Sequence, residues 1–433
     1  MKTKVGIVSL GCAKNLVDSE AILGMFSKDD YEITSDPSKS DLIIINTCGF
    51  IESAKRESIE TIIEMSRYKK AKIVVTGCFV TRNLEELKAS LPEVALWVPI
   101  KDYPLLHEEI KSLLKNEGKI SPFDLSRRTL SGLPWSAYLK ISDGCDNHCA
   151  FCAIPLIKGA MSSRKMEDIL LEAKELLKKG VKEISLVSQD PLHYGFDFPS
   201  HTPNMLTLLK ALDELPFESI RLLYLYPEEI SDDILYFIRD SKHIEPYFDI
   251  PIQTASNPLL KKMNRHGNVE EMKELFRKIN DIFPKKALRT TLIAGFPEEN
   301  EKMHKETLSF LKEFPFDHLG VFIYSKEEGT AAFYRPKQVP FKTKDRRRKE
   351  IMELARTESY RLNKERIGEI MEGFVLSYNA KDNLYTLRSY WNAPDDIDGK
   401  IYFRSNKTHQ SGERVKVKIT SAFIYDLMGE EVL

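Results

Sequence analysis

Cys145, Cys149 and Cys152 stand in the stretch Ile141-Ser142-Asp143-Gly144-Cys145-Asp146-Asn147-His148-Cys149-Ala150-Phe151-Cys152-Ala153-Ile154-Pro155, with the spacing Cys-x3-Cys-x2-Cys. The chain has 6 cysteines in all, so half of them fall on this one loop. Three thiolates on a short loop can hold three corners of a four-iron, four-sulfur (4Fe-4S) cubane and leave the fourth iron without a protein ligand. Clusters that only carry electrons normally have four cysteine ligands. A three-cysteine loop therefore points to an iron kept open for a substrate. Structural zinc prefers four closed ligands, usually as two Cys-x2-4-Cys pairs, and His148 lies between the cysteines rather than beyond them.

The other three cysteines have positions of their own. Cys12 follows Val5–Leu10, Cys48 follows Leu42–Asn46 and Cys78 follows Lys72–Thr76. All three runs read as buried parallel strands, with weaker strands at Tyr31–Thr34 and Ala95–Val98. Helical patterns separate them at Leu16–Ser27, Glu52–Tyr68, Asn83–Ser90 and Pro104–Asn116. This alternation over residues 1–118 predicts a doubly wound parallel sheet. Ligands bind at the carboxyl edge of such sheets, so three loops distant in sequence are expected to converge there as a second three-cysteine set. Gly11, Gly49 and Gly77 flank these cysteines and permit tight turns with close backbone approach.

Residues 119–134 read as a polar, turn-rich linker, whose Arg127 and Arg128 are expected to be solvated. Residues 135–366 form the largest unit. Strands are predicted at Ala137–Ser142, Glu183–Ser188, Ser219–Leu225, Tyr247–Ile252, Leu288–Ala294 and His318–Tyr324. Helices are predicted at Met166–Lys179, Pro203–Leu215, Glu228–Asp240, Val269–Phe283 and Lys302–Glu313, with a long helix from Phe341 to residue 366. Six βα units imply an incomplete parallel barrel with its site at the carboxyl ends of the strands. The polar residues at those ends are Gln189, Asp190, Tyr226, Gln253, Tyr324 and Ser325. Arg221 and Arg289 lie on strands, where either an ion pair in the barrel wall or a clamp on a bound carboxylate fits. The Arg346-Arg347-Arg348 run fits a solvated helix face better than a patch for an anionic partner.

Residues 367–433 change character. Short strands at Gly368–Leu376, Asn383–Leu387, Lys400–Phe403 and Glu413–Ala422 suggest a small OB-like β-barrel. Its eight basic and ten acidic side chains leave it slightly acidic. A barrel that grips RNA is expected to be basic, so this one suits a basic protein better.

The chain as a whole has 433 residues, 42% hydrophobic and 30% charged, with a formal net charge of −1. That fits a multi-domain globular protein with no global pull toward nucleic acid. The sequence shows neither an apolar run of membrane-spanning length nor a signal-peptide core. A cytoplasmic location is expected, where clustered cysteines serve metals or catalysis rather than disulfides.

With both cysteine sets and the terminal barrel in view, the chain resembles the methylthiotransferases of the radical S-adenosylmethionine (SAM) superfamily. Within that family it is most similar to the branch acting on a ribosomal-protein aspartate. The segments that carry the likeness are Ser9-Leu10-Gly11-Cys12-Ala13-Lys14-Asn15, Asn46-Thr47-Cys48-Gly49-Phe50-Ile51, the Cys145 loop, Arg221-Leu222-Leu223-Tyr224-Leu225-Tyr226-Pro227, Tyr247-Phe248-Asp249-Ile250-Pro251-Ile252-Gln253 and Ala393-Pro394-Asp395-Asp396-Ile397-Asp398-Gly399. The tRNA-modifying branch typically has Gln-Met-Asn where Ala13-Lys14-Asn15 stands here.

The resemblance implies two 4Fe-4S clusters, one on Cys12, Cys48 and Cys78 and one on Cys145, Cys149 and Cys152. It implies SAM both as methyl donor and as source of a 5′-deoxyadenosyl radical, and a terminal TRAM domain. It also implies addition of a methylthio group to the β-carbon of an aspartate in a small-subunit ribosomal protein, free or in the ribosome. An electron donor and a sulfur donor complete the implied partners, with nucleic-acid contact secondary and no membrane. Gln189, Arg221, Gln253 and Arg289 are the candidates for SAM contact.

The sequence departs from the family at Pro191, Leu192 and His193, at Thr254, at Glu298 and across Lys158–Arg164. Methylthiolation of a tRNA adenosine and a non-catalytic iron–sulfur or ribosome-binding role are the competing readings.

Overall fold

The computed structural model describes residues 2–115, 118–394 and 396–432. The first unit is a five-stranded parallel sheet of β1 (Thr3–Ser9), β2 (Tyr31–Ile33), β3 (Leu42–Thr47), β4 (Lys72–Gly77) and β5 (Leu96–Val98), in the order β2-β1-β3-β4-β5. Every residue of β3 is buried, as a run of Leu and Ile covered by helices on both faces requires. The helices are α1 (Ala13–Gly24), α2 (Glu52–Met65), α3 (Cys78–Ser90) and α4 (Leu106–Leu114). Asn116, the last residue of the helix expected over Pro104–Asn116, lies outside the described residues.

The central unit contains β6 (Ser136–Lys140), a two-stranded hairpin of β7 (Ser142–Asp143) and β8 (Ser162–Ser163), β9 (Glu183–Val187), β10 (Ser219–Leu222), β11 (Tyr247–Asp249), β12 (Ala287–Ala294) and β13 (His318–Ile323). Two parallel sheets, β10-β9-β6 and β11-β12-β13, meet between β10 and β11. The Leu225 N–H donates to Asp249 O at 2.8 Å there, beside a parallel bridge from Ile220 to Ile244. The strand order is thus six parallel strands in sequence, and no pairing among the described strands joins β6 to β13. This is the incomplete barrel that the βα alternation predicts.

Helices α5 (Ile154–Lys158), α6 (Met166–Lys178), α7 (Met205–Asp213), α8 (Asp232–Asp240), α9 (Asn257–Lys262), α10 (Val269–Ile282), α11 (Glu301–Glu313) and α12 (Phe341–Glu365) complete the unit. Asn204, Ser231, Asn268 and Asn300 cap α7, α8, α10 and α11, each side chain accepting from the N–H three residues on. Such a cap satisfies an N–H that the helix cannot.

The last unit is a closed barrel of β14 (Ile370–Asn379), β15 (Leu384–Ser389), β16 (Ile401–Arg404), β17 (Arg414–Ala422) and β18 (Leu427–Val432), in the order β14-β15-β16-β18-β17. Its fifth strand was not expected from sequence. Gly429, Glu430 and Glu431 give β18 little strand character, and its pairing with β16 is parallel and non-local. None of the described helices is long and apolar enough to cross a membrane.

The units are riveted by buried charge. The expected linker is not a free tether. Arg128 is 2% exposed and pairs with Glu20 of α1 at 3.0 Å and Glu172 of α6 at 2.8 Å, while Arg127 stays in solvent beside Asp124. On α12, Arg347 is buried against Glu299, and Arg346 and Arg348 are paired with Glu301, Glu350 and Asp345, so none of the three stands without an acidic partner.

Candidate radical and sulfur-transfer site

Cys12, Cys48 and Cys78 leave the carboxyl ends of β1, β3 and β4, which are neighbours in the sheet. Cys12 precedes α1 at its N-cap position with its thiol making no cap bond, and Cys78 opens α3 directly after the turn at Gly77. The flanking glycines explain how three loops approach. A Cβ on Gly11 would lie 2.9 Å from Cys48 Sγ, and one on Gly49 would lie 2.6 Å from the Cα of Phe79, the residue after Cys78. Gly77 has φ +99°, and a Cβ there would lie 2.3 Å from Asn46 Oδ1 and 2.4 Å from Thr47 O. Gly77→Ala is expected to cost about 2–4 kcal/mol, from left-handed strain plus overpacking, and to lower iron retention at this edge. Thermal melting and iron analysis check both.

Asn15, a motif residue to which the sequence assigns no role, is the hub of this edge. Its Nδ2 donates to Leu10 O and Thr47 O, both at 3.0 Å, and its Oδ1 lies 3.5 Å from Cys78 Sγ. Burial pushes the Cys78 thiol up to about 12, and Cys12 and Cys48 are near enough to add to the shift.

The second set sits on the carboxyl rim of the open barrel. Gly144 has φ +74°, and a Cβ there would lie 2.0 Å from Ala160 O, so the loop folds flat against the segment before β8. Cys149 Sγ lies 3.7 Å from the Tyr226 hydroxyl and 3.9 Å from Arg265 Nη1, and Arg265 stacks over the Tyr226 ring. Asn147 Nδ2 donates to Cys145 Sγ at 3.5 Å, and the Ile154 N–H to Cys152 Sγ at 3.4 Å. Burial pushes the Cys152 thiol up to about 12, with Cys149 and Cys145 adding to it. Thiols held protonated by burial become thiolates when a metal supplies the compensating charge.

The two sets are held to each other. Lys140 and Lys158, both buried, pair with Asp18 of α1 and with Asp143 at the root of the Cys145 loop. Lys140–Asp143 is 2.8 Å, and both Lys158 contacts are 3.3 Å. Cys78 also packs beside Ala153, next to Cys152. On the other flank Glu327, after β13, binds Lys55, Arg82 and the Glu52 N–H.

Of the four candidate SAM contacts, two lie on the rim. Gln189 follows β9, and its Oε1 is buried without a hydrogen-bond partner, as are Ser188 Oγ, Ser142 Oγ and Asp190 Oδ1. Gln253 follows β11 with φ +65° and bonds β12 through its backbone. Orphaned buried polar atoms beside three thiols fit a polar ligand. Arg221 and Arg289 are elsewhere, in the seam between the two barrels. Arg221 is 1% exposed and donates to Tyr390 O at 3.2 Å and Ser389 O at 3.0 Å, with Glu183 at 3.5 Å. Arg289 pairs with Asp249 at 2.8 Å and Asp398 at 3.3 Å. The ion-pair reading of both arginines is the one this geometry supports.

His193 stands where the family pattern breaks, 2.6 Å from Asp190 and 2.9 Å from Glu229. Hydrogen bonds that it donates to Asp190 and Glu229 hold its imidazole up at about 10. The ligand atoms of these three side chains lie within 4.8 Å of one another. A protonated imidazole offers no lone pair to a metal, so this trio reads as an ion-paired cluster rather than a metal site.

Residues 4–99 match the family described as "Uncharacterized protein family UPF0004", residues 139–311 the radical SAM superfamily and residues 367–432 the TRAM domain. Among solved structures, the radical SAM methyltransferase TsrM from Kitasatospora setae has a TM-score of 0.56 at 13% identity over 74% of this chain and 73% of that one. The radical SAM enzyme OxsB gives 0.52 at 14% over 82% and 56%. Fold and site thus define a radical SAM enzyme.

The chain is 44% identical to the ribosomal protein uS12 methylthiotransferase RimO of Pelotomaculum thermopropionicum, over 100% of both chains. It is 42% identical to that of Acetivibrio thermocellus, over 100% of this chain and 99% of the relative. The chain belongs to the RimO-type radical SAM methylthiotransferases.

Proposed function

We propose that this enzyme replaces a hydrogen on the β-carbon of an aspartate of ribosomal protein uS12 by a methylthio group. The observation that carries the reading is the pairing of two three-cysteine sets across one ion-paired junction, neither with a fourth cysteine. Cys145, Cys149 and Cys152 would hold one 4Fe-4S cluster and Cys12, Cys48 and Cys78 another. With SAM bound, these groups supply the deoxyadenosyl radical that breaks an inert C–H bond and the methylated sulfur that replaces the hydrogen.

The chain's own residues position and exclude. Tyr226, Arg265, Asn147 and the Ile154 N–H surround the sulfurs of the second set, and bonds of this kind tune a cluster. Gln189 and Ser188 present free acceptors on the rim for SAM. The Lys140–Asp18–Lys158–Asp143 quartet fixes the separation of the two sets, which a transfer between them requires.

Sulfur and electrons come from separate donors, and a ribosomal substrate places the reaction in the cytoplasm. The acidic balance of the terminal barrel favours a basic protein over tRNA. The side chains of Arg388 and Asp398 are each buried in the seam, so neither adds to the charge that the barrel presents.

The test is mass spectrometry of uS12 and of tRNA nucleosides from a deletion strain. Loss of an adduct of about 46 Da on a uS12 aspartate, the mass of SCH3 replacing H, is the expected result. Loss of a methylthio-adenosine with uS12 unchanged would overturn it.

A further inference from the structure

Among the described residues, Lys14 is the member of the cationic set at the junction that has no acid at ion-pair distance. Its neighbours Lys140 and Lys158 are both paired, whereas among the described residues no carboxylate oxygen lies within 4.0 Å of Lys14 Nζ. Asp143 and Asp249 act on it only from farther away. Lys14 is nonetheless 9% exposed. Its ammonium donates to Ser188 O at 3.2 Å and lies 3.9 Å from the centroid of the Tyr224 ring. Those contacts satisfy one donor and part of the charge. A buried cation without a counter-ion is costly. Its place in the first turn of α1 adds to the cost, because the helix dipole disfavours positive charge there.

The position gives the cost a purpose. Lys14 comes from the sulfur-side edge, two residues after Cys12, and reaches the carboxyl rim of the barrel between Ser188 and Tyr224. Cys12 stands two residues before it on one side, and Ser188, which it bonds, leads into Gln189 on the rim of the second set. An anion bound at Lys14 is therefore held between the two sets.

Resting on the function proposed above, we propose that Lys14 receives the side-chain carboxylate of the substrate aspartate and is the residue that selects it. The chemistry fits closely. In aspartate the reacting β-carbon is bonded directly to the carboxylate carbon. Fixing that carboxylate on Lys14 leaves the β-carbon one bond away, with its hydrogens between the radical side and the sulfur side. An amide in the same place brings no charge to balance the ammonium, so asparagine would be rejected.

The experiment is a double-mutant cycle read by mass spectrometry. Wild type and Lys14→Met act on isolated uS12, and on uS12 whose target aspartate is replaced by asparagine. The expected result is a loss in kcat/KM on the order of 100-fold for Lys14→Met on the aspartate substrate. A similar loss is expected for wild type on the asparagine substrate, with little further loss when both changes combine. Lys14→Arg, which keeps the charge, is expected to keep the preference for aspartate, and each variant is used at wild-type iron content.

Losses that multiply when the changes combine would overturn the proposal, since Lys14 would then be neutralising a cluster or SAM instead. Wild type that yields no product from uS12 would remove the substrate reading itself, and the carboxylate contact with it.

Discussion

A Cys145→Ala, Cys149→Ala, Cys152→Ala triple variant, reconstituted without oxygen, is expected to form no 5′-deoxyadenosine. It should keep about half of the wild-type iron, about four of about eight atoms per chain. The expectation follows from where the six thiols sit. Cys12, Cys48 and Cys78 are supported by the β1, β3 and β4 edge, by Asn15 and by Gly11, Gly49 and Gly77. None of those supports includes the Cys145 loop. That loop in turn is positioned by Gly144, by Met263 O accepting from Ala150 and by Tyr226 and Arg265. Each set can thus be emptied while the other keeps its frame. Iron analysis with product chromatography checks the outcome. Loss of all iron, or deoxyadenosine at wild-type rate, would contradict it.

The second large effect is on stability. Glu183 is fully buried at the start of β9 and faces two arginines. Arg388 Nη2 of β15 lies 2.6 Å away as an ion pair rather than an aligned hydrogen bond, and Arg221 lies at 3.5 Å. Burial disfavours the charge, but Arg388 and Arg221 outweigh it and hold the carboxyl below its usual range. Ser136 Oγ donates a further bond at 2.8 Å. Glu183→Ala strands two guanidinium groups in the seam between the radical SAM unit and the terminal barrel. Breaking one side of a buried pair costs about 3–5 kcal/mol, and denaturant unfolding should show a loss of that size with early release of the terminal barrel. A change below about 1 kcal/mol would mean that solvent reaches the seam.

Much of the site was readable because its chemistry constrains local sequence. Cys-x3-Cys-x2-Cys is a spacing on one loop, and each N-terminal cysteine follows an apolar run and has a glycine beside it. What sequence could not show is long-range charge pairing. Arg221 finds its partners at Ser389 and Tyr390, 168 and 169 positions away, and Arg128 meets Glu20 108 positions away. Nothing local distinguishes such an arginine from one that binds a ligand or faces solvent.

Element ends shifted for local reasons. A short helical segment from Cys78 precedes the helix expected over Asn83–Ser90, and the two meet at a kink where Asn83 has φ −132°. Lys14 and Asn15 were seen only as motif letters. Their roles appear once α1 is docked on the barrel rim.

The most direct measurement is mass spectrometry of uS12 after anaerobic incubation with SAM, reductant, sulfide and either wild type or Cys48→Ala. Cys48→Ala is used as preparations that retain the iron of the Cys145 loop. The account predicts an adduct of about 46 Da on an aspartate of uS12 with wild type and none with Cys48→Ala. An adduct of that mass formed by Cys48→Ala at the wild-type rate would contradict the assignment of sulfur transfer to the Cys12, Cys48 and Cys78 edge.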